Sequence, residues 1–114
     1  MTSDELFSRV LIDLEAMERI TEAKIQATVA RDAKTLVALL QEEIDPMYRL
    51  SSRTLELAML SEAQRQELAG RLTRWGGREQ HLKDLLENNL GYIEYLKQLM
   101  GINTTDPSSL NAGL

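Results

Sequence analysis

The sequence predicts an all-α protein, and three observations carry that prediction. Leu, Ala, Glu, Lys, Arg and Gln dominate while aromatics make up only 4% of the chain, the composition of long helices or coiled coil. Apolar residues recur at three- and four-residue steps, the period of an amphipathic helix. The strong breakers fall between the periodic stretches, at Pro46, at the Gly76-Gly77 pair and at Pro107. The expected architecture is an antiparallel bundle of three long helices, about 3–30, 46–75 and 78–100, with a short linking helix 32–44. At 114 residues the chain suffices for one domain with a modest core. That domain is expected over 1–101, followed by a mobile polar tail over 102–114.

The first helix starts at a capping-box signature, Thr2 followed three residues later by Glu5, and Asp4 and Glu5 suit the positive end of the helix dipole. Leu6, Val10, Leu14, Met17 and Ile20 then form its apolar stripe, which Phe7, Leu11, Ile25 and Val29 broaden. Asp32 is a good N-cap for the linking helix, whose face is Leu36, Val37, Leu39, Leu40 and Ile44. Asp45-Pro46 reads as a cap followed by proline at the first helical position, where no N–H is lost. The alternative is a continuous helix from Asp32, kinked at Pro46.

The next helix carries Met47, Leu50, Leu55, Ala58, Leu68, Leu72 and Trp75, but its middle, 61–67, is nearly all polar. Gly76-Gly77 reads as its end, one glycine for a left-handed cap and one for a tight reversal. A loop that short places the flanking helices side by side and antiparallel.

The last helix has the widest apolar face. Leu82, Leu86, Ile93, Leu96 and Met100 form a seam, Leu85, Tyr92, Leu99 and then Tyr95 widen it on one side, and Leu90 on the other. At about 100° per residue these positions sweep roughly 220°, about twice the stripe needed to dock on one core. One part is expected to pack on the protein's own helices and the flank to meet a partner. The residues expected at that partner surface are Leu85, Asn89, Tyr92, Tyr95, Leu96 and Leu99. Asn89 falls inside the apolar face, where it either fixes helix register or hydrogen-bonds a partner backbone. Tyr92 and Tyr95, at the margin, are either boundary residues with wet hydroxyls or binding anchors.

Charge and motif content exclude several classes. A net charge of −5 repels a nucleic-acid backbone. The absence of cysteine rules out disulfides and thiolate metal sites. His81 is the only histidine and has no second ligand at helical spacing. Glu15, Glu18 and Glu22 share a face, but with Arg19 and Lys24 beside them they read as a solvated charged face. No phosphate loop or nucleophile elbow occurs, and Ser51-Ser52 has no nearby histidine. The expectation is no enzyme, cofactor, metal or small-molecule substrate. The opening Met1-Thr2-Ser3-Asp4-Glu5 is acidic where a signal peptide is basic and then apolar, and no run approaches the roughly 18 apolar residues of a membrane span. The expected location is cytoplasmic.

One stretch resembles a known family. The run Leu86-Glu87-Asn88-Asn89-Leu90-Gly91-Tyr92-Ile93-Glu94-Tyr95-Leu96 resembles the C-terminal signature of the FlgN family of flagellar export chaperones, roughly Leu-x-x-Ser-Leu-x-Tyr-Val before a Leu-rich turn and a Gly. Asn89 stands where that family usually has Ser, and Ile93 where it often has Val. Upstream, Asp32-x-x-x-Leu36-x-x-Leu39-x-x-Glu42-Glu43 is similar to the family's Asp-x-x-x-Leu-x-x-Leu-x-x-Glu-Lys, with Glu43 in place of Lys and Pro46 where an unbroken helix is expected. The resemblance implies a chaperone that binds the amphipathic C-terminal helix of hook-associated flagellar proteins, keeps them unassembled and delivers them to the membrane export gate. The alternatives are a type III secretion-type chaperone for a different client, and a structural coiled coil whose wide face is a homodimer interface.

Overall fold

The computed structural model describes residues 1–88, which form four α-helices and a 3₁₀ turn with no strand among them. Helix α1 (Ser3–Val29) begins where the Thr2 hydroxyl accepts the backbone N–H of Glu5 at 3.1 Å. It ends in a Schellman motif: the Asp32 N–H reaches the Ala27 carbonyl and the Arg31 N–H that of Thr28. Arg31 occupies the left-handed position of that motif, at φ 57°, where glycine is the usual residue. Asp32 also caps the next helix, α2 (Ala33–Glu42), its carboxylate accepting both the N–H and the hydroxyl of Thr35.

Helix α3 (Ile44–Ser52) follows after the single residue Glu43, which keeps right-handed helical angles. Pro46 therefore lies in the third position of α3 and not in the first. Its missing N–H removes the bond to the Glu42 carbonyl, and its ring crowds the same carbonyl, so the ladder breaks there. The helix expected over 46–75 does not form. The chain leaves helical geometry after Ser52 and passes through a 3₁₀ turn, Leu55–Met59. Leu55, expected on the buried stripe, is 91% exposed.

Helix α4 (Glu62–Glu87) begins at a full capping box. Ser61 accepts the Gln64 N–H, and the Gln64 side chain accepts the Ser61 N–H. The nearly all-polar 61–67 is thus a helix start. Gly76-Gly77, expected to reverse the chain, lies inside α4, so 62–75 and 78–87 are one helix and not two neighbours. The pair is held from both sides, by Arg71 on Glu15 and Glu18 of α1 and by Arg78 on Glu22. Ion pairs from Arg71, five residues before Gly76, and from Arg78, directly after Gly77, offset the weak helix propensity of the pair.

Every other helix packs on α1. Cross-links from α1 to α4 run in the same order, Asp4 to Gln64, Glu18 to Arg71 and Glu22 to Arg78. Those to the α2–α3 arm run in reverse order, Lys24 to Glu43 and Asp13 to Arg49. Two apolar clusters result. The lower joins Leu6, Val10 and Leu14 of α1 to Leu60 and Leu68, and the upper joins Ile20 and Ala27 to Ala33, Leu36 and Leu39. Full burial of each leucine or isoleucine contributes about 1.5–3 kcal/mol. The expected tail 102–114 and the part of the expected last helix beyond Asn88 lie outside the described residues.

Candidate functional site

Because α3 and α4 both pack on α1 and diverge from each other, they leave an apolar groove of about 230 Å³ between them. Val10 of α1 forms its floor. One wall is Met47 and Leu50 of α3, extended by Leu57 of the 3₁₀ turn, and the other is Leu68, Leu72 and Trp75 of α4. Ser51 and Thr54 supply the polar atoms of the lining, and both hydroxyls already donate to backbone carbonyls one turn back. The groove therefore offers almost nothing but apolar surface.

Its lips are more exposed than its floor. Met47 is 37% and Leu72 38% exposed, and on the outer side of α3 Ile44 and Tyr48 stand 61% and 72% exposed. Ile44, Met47, Tyr48 and Ser51 recur at three- and four-residue steps, so they share one flank of α3. The exposed apolar surface thus continues outward from the groove as a stripe.

The upper end is closed by a polar tie. The Lys24 ammonium, its side chain 5% exposed, reaches Glu43 at 2.6 Å and Glu79 at 3.4 Å, joining the start of α3 to α4 across α1. Glu79 also accepts the Thr21 hydroxyl at 2.6 Å, and Thr21 in turn accepts the Trp75 indole N–H at 2.8 Å. Trp75 is thereby fixed with its N–H satisfied in the bundle and its ring against the groove. Glu43 lies one turn before Met47, and Glu79 one turn after Trp75, so the tie sits on the same two walls.

A second, mixed-charge cleft shares Trp75 with the groove; Glu18 and Glu22 of α1 line it with Glu67, Arg71, Arg74 and Arg78 of α4. Glu15 and Glu22 are exposed, as expected of a solvated face, and with the half-buried Glu18 they also pair with α4 arginines. The Glu18 and Glu15 carboxylates raise the Arg71 pKa above its ordinary value, the Glu18 hydrogen bond first. The pairs of Arg71 with Glu15 and Glu18 and of Arg78 with Glu22 tie α4 to α1 along this cleft.

Of the residues expected to meet a partner, only Leu85 is described, half-buried in the last turn of α4. Asn89, Tyr92, Tyr95, Leu96 and Leu99 lie outside the described residues. Leu82 is buried and Leu86 packs on the upper cluster, the positions assigned to the bundle seam. His81 is exposed within α4. No cluster of three metal-ligating side chains occurs, and no helix is long and apolar enough to cross a membrane, both among the described residues. Sequence reasoning missed the groove because it assigned Met47 and Leu72 to one helix, whereas they form facing walls. No family model, curated protein or solved structure matches the chain.

Proposed function

We propose that the chain is a cytoplasmic export chaperone for flagellar hook-associated proteins, holding their amphipathic C-terminal helix and passing them to the membrane export gate. The observation that carries this reading is the groove between α3 and α4, an apolar slot with exposed lips that would accept a fourth helix. The resemblance of 86–96 and 32–43 to FlgN-type chaperones gives the client. Physically, covering the client's apolar face removes the surface through which it self-associates. No nucleotide, metal or catalytic step is part of this role.

The bundle is read as antiparallel between α1 and the α2–α3 arm, with α4 as the third arm. The wide apolar face expected over 78–100 is proposed as a further client-binding surface, with Leu85, Tyr92, Tyr95 and Leu99 on its expected flank and Asn89 and Leu96 in its expected seam. Isothermal titration with a peptide from the C-terminal helix of a hook-associated protein tests the proposal. Saturable one-to-one binding supports it. A chain that ignores such peptides and sediments as a dimer favours the homodimer reading.

A further inference from the structure

Trp75 stands between two cavities. Its side chain lines the apolar groove with Leu68 and Leu72, and it also lines the mixed-charge cleft with Arg71, Arg74 and Arg78. The side chain is half-buried and the χ2 torsion of tryptophan is broad, so apolar packing alone leaves more than one ring orientation open. A ring turned fully toward the cleft would find cation–π contact there, above all from Arg74, which makes no ion pair among the described residues. The groove would then lose the aromatic part of its wall.

One hydrogen bond decides between these orientations. The indole N–H donates to the Thr21 hydroxyl at 2.8 Å, and that hydroxyl donates to Glu79 at 2.6 Å. The order of donation is fixed at both ends, because an indole nitrogen only donates and a carboxylate only accepts. A hydroxyl, with one proton and two lone pairs, serves both neighbours at once, whereas a valine of the same shape serves neither. Glu79 is held in turn by Lys24 at 3.4 Å, and Thr21 is buried on α1, the helix on which the others pack. Thr21 itself lines neither cavity, so it reaches an occupant of the groove only through Trp75.

Resting on the helix-groove reading above, we propose that Thr21 is a positioning residue for the groove's occupant, pinning the indole N–H in the bundle so that the Trp75 ring is held as a fixed apolar wall of the groove. A wall set before binding has less freedom to lose when the occupant arrives. With its one polar atom already engaged, the ring selects an aliphatic or aromatic side chain opposite it.

The test is isothermal titration with a tryptophan-free peptide from the C-terminal helix of a hook-associated protein, run as a cycle of Thr21→Val and Trp75→Phe on variants that circular dichroism shows to be folded. Phenylalanine keeps a ring and lacks the N–H. Thr21→Val is expected to weaken binding about fivefold in the presence of Trp75, the effect of ordering one large side chain, and by less than about twofold on the Trp75→Phe background. Thr21→Ser keeps the hydroxyl and should restore tight binding. Trp75 also gives the only indole N–H resonance of the chain, whose exchange with water should be slow in the free wild type and fast in Thr21→Val. An unchanged affinity in Thr21→Val, an equal loss on both backgrounds, or no rescue by serine overturns the inference and leaves the groove reading standing. Fast exchange in the wild type overturns it as well, and decides the matter should Thr21→Val not fold. A wild type that binds no such peptide overturns the groove reading and the inference with it.

Discussion

Replacing Gly76 and Gly77 together by alanine separates a continuous α4 from a helical hairpin. Both glycines are exposed inside the helix, and a Cβ built at either meets no atom within 4 Å. Neither has a positive φ, so alanine needs no backbone change. Gly is about 0.8–1.0 kcal/mol worse than Ala in a helix interior, because the unfolded chain has more freedom to lose. The double variant should therefore gain about 1.5–2 kcal/mol. For a domain of this size that raises Tm by roughly 6–15 °C. Urea unfolding followed by circular dichroism measures the gain, and the m-value should stay unchanged if the native fold is the same. Had the pair formed a left-handed cap and reversal, alanine would be strained at positive φ and the variant would lose stability. A loss, or a fall in m, refutes the unbroken helix.

Two further outcomes follow from polar contacts. Lys24→Ala leaves Glu43 and Glu79 facing each other with no cation, and should cost about 3 kcal/mol in urea unfolding, the low end for a broken buried pair because both carboxylates keep some access to water; Glu79→Gln, still able to accept from Thr21, should cost less than half as much. The Asp32 carboxylate is held below its ordinary pKa, first by the Thr35 hydroxyl and then by the Thr35 N–H. A depressed folded pKa contributes stability above the unfolded pKa and loses it as pH falls through the folded one. Asp32→Asn should accordingly flatten the acid limb of the pH–stability curve, and an unchanged limb would mean that the cap carries no charge-dependent stability.

The parts of the fold that were legible are those whose signals are local. Thr2, Asp32 and the spacing of Leu6, Val10, Leu14 and Met17 define α1 and the start of α2 because caps and one helical face are written within a few residues. Ser61-Glu62-Ala63-Gln64 carried an equally local signal, a Ser-x-x-Gln box, but the scarcity of apolar residues around it made it read as the middle of a helix. Gly76-Gly77 misled for the opposite reason. A glycine pair is a strong local breaker, and what overrides it, the pairing of Arg71 and Arg78 with Glu18 and Glu22, comes from residues more than fifty positions away. The groove was hidden for the same reason, since Met47 and Leu72 become facing walls only once the chain breaks at Arg53 and α4 returns along α1.

The groove contains the only tryptophan of the chain, Trp75, so its fluorescence reads occupancy without a label. The most direct measurement is a titration of the wild type and of Leu72→Asp with a tryptophan-free peptide from the C-terminal helix of a hook-associated protein. Leu72 is exposed enough that a carboxylate there should leave folding intact while opposing an apolar occupant. A saturable change in Trp75 emission on the wild type, weakened at least tenfold in Leu72→Asp, is the predicted result. Binding that leaves Trp75 unaffected, or that is equally tight in Leu72→Asp, would contradict the assignment of the client to this groove.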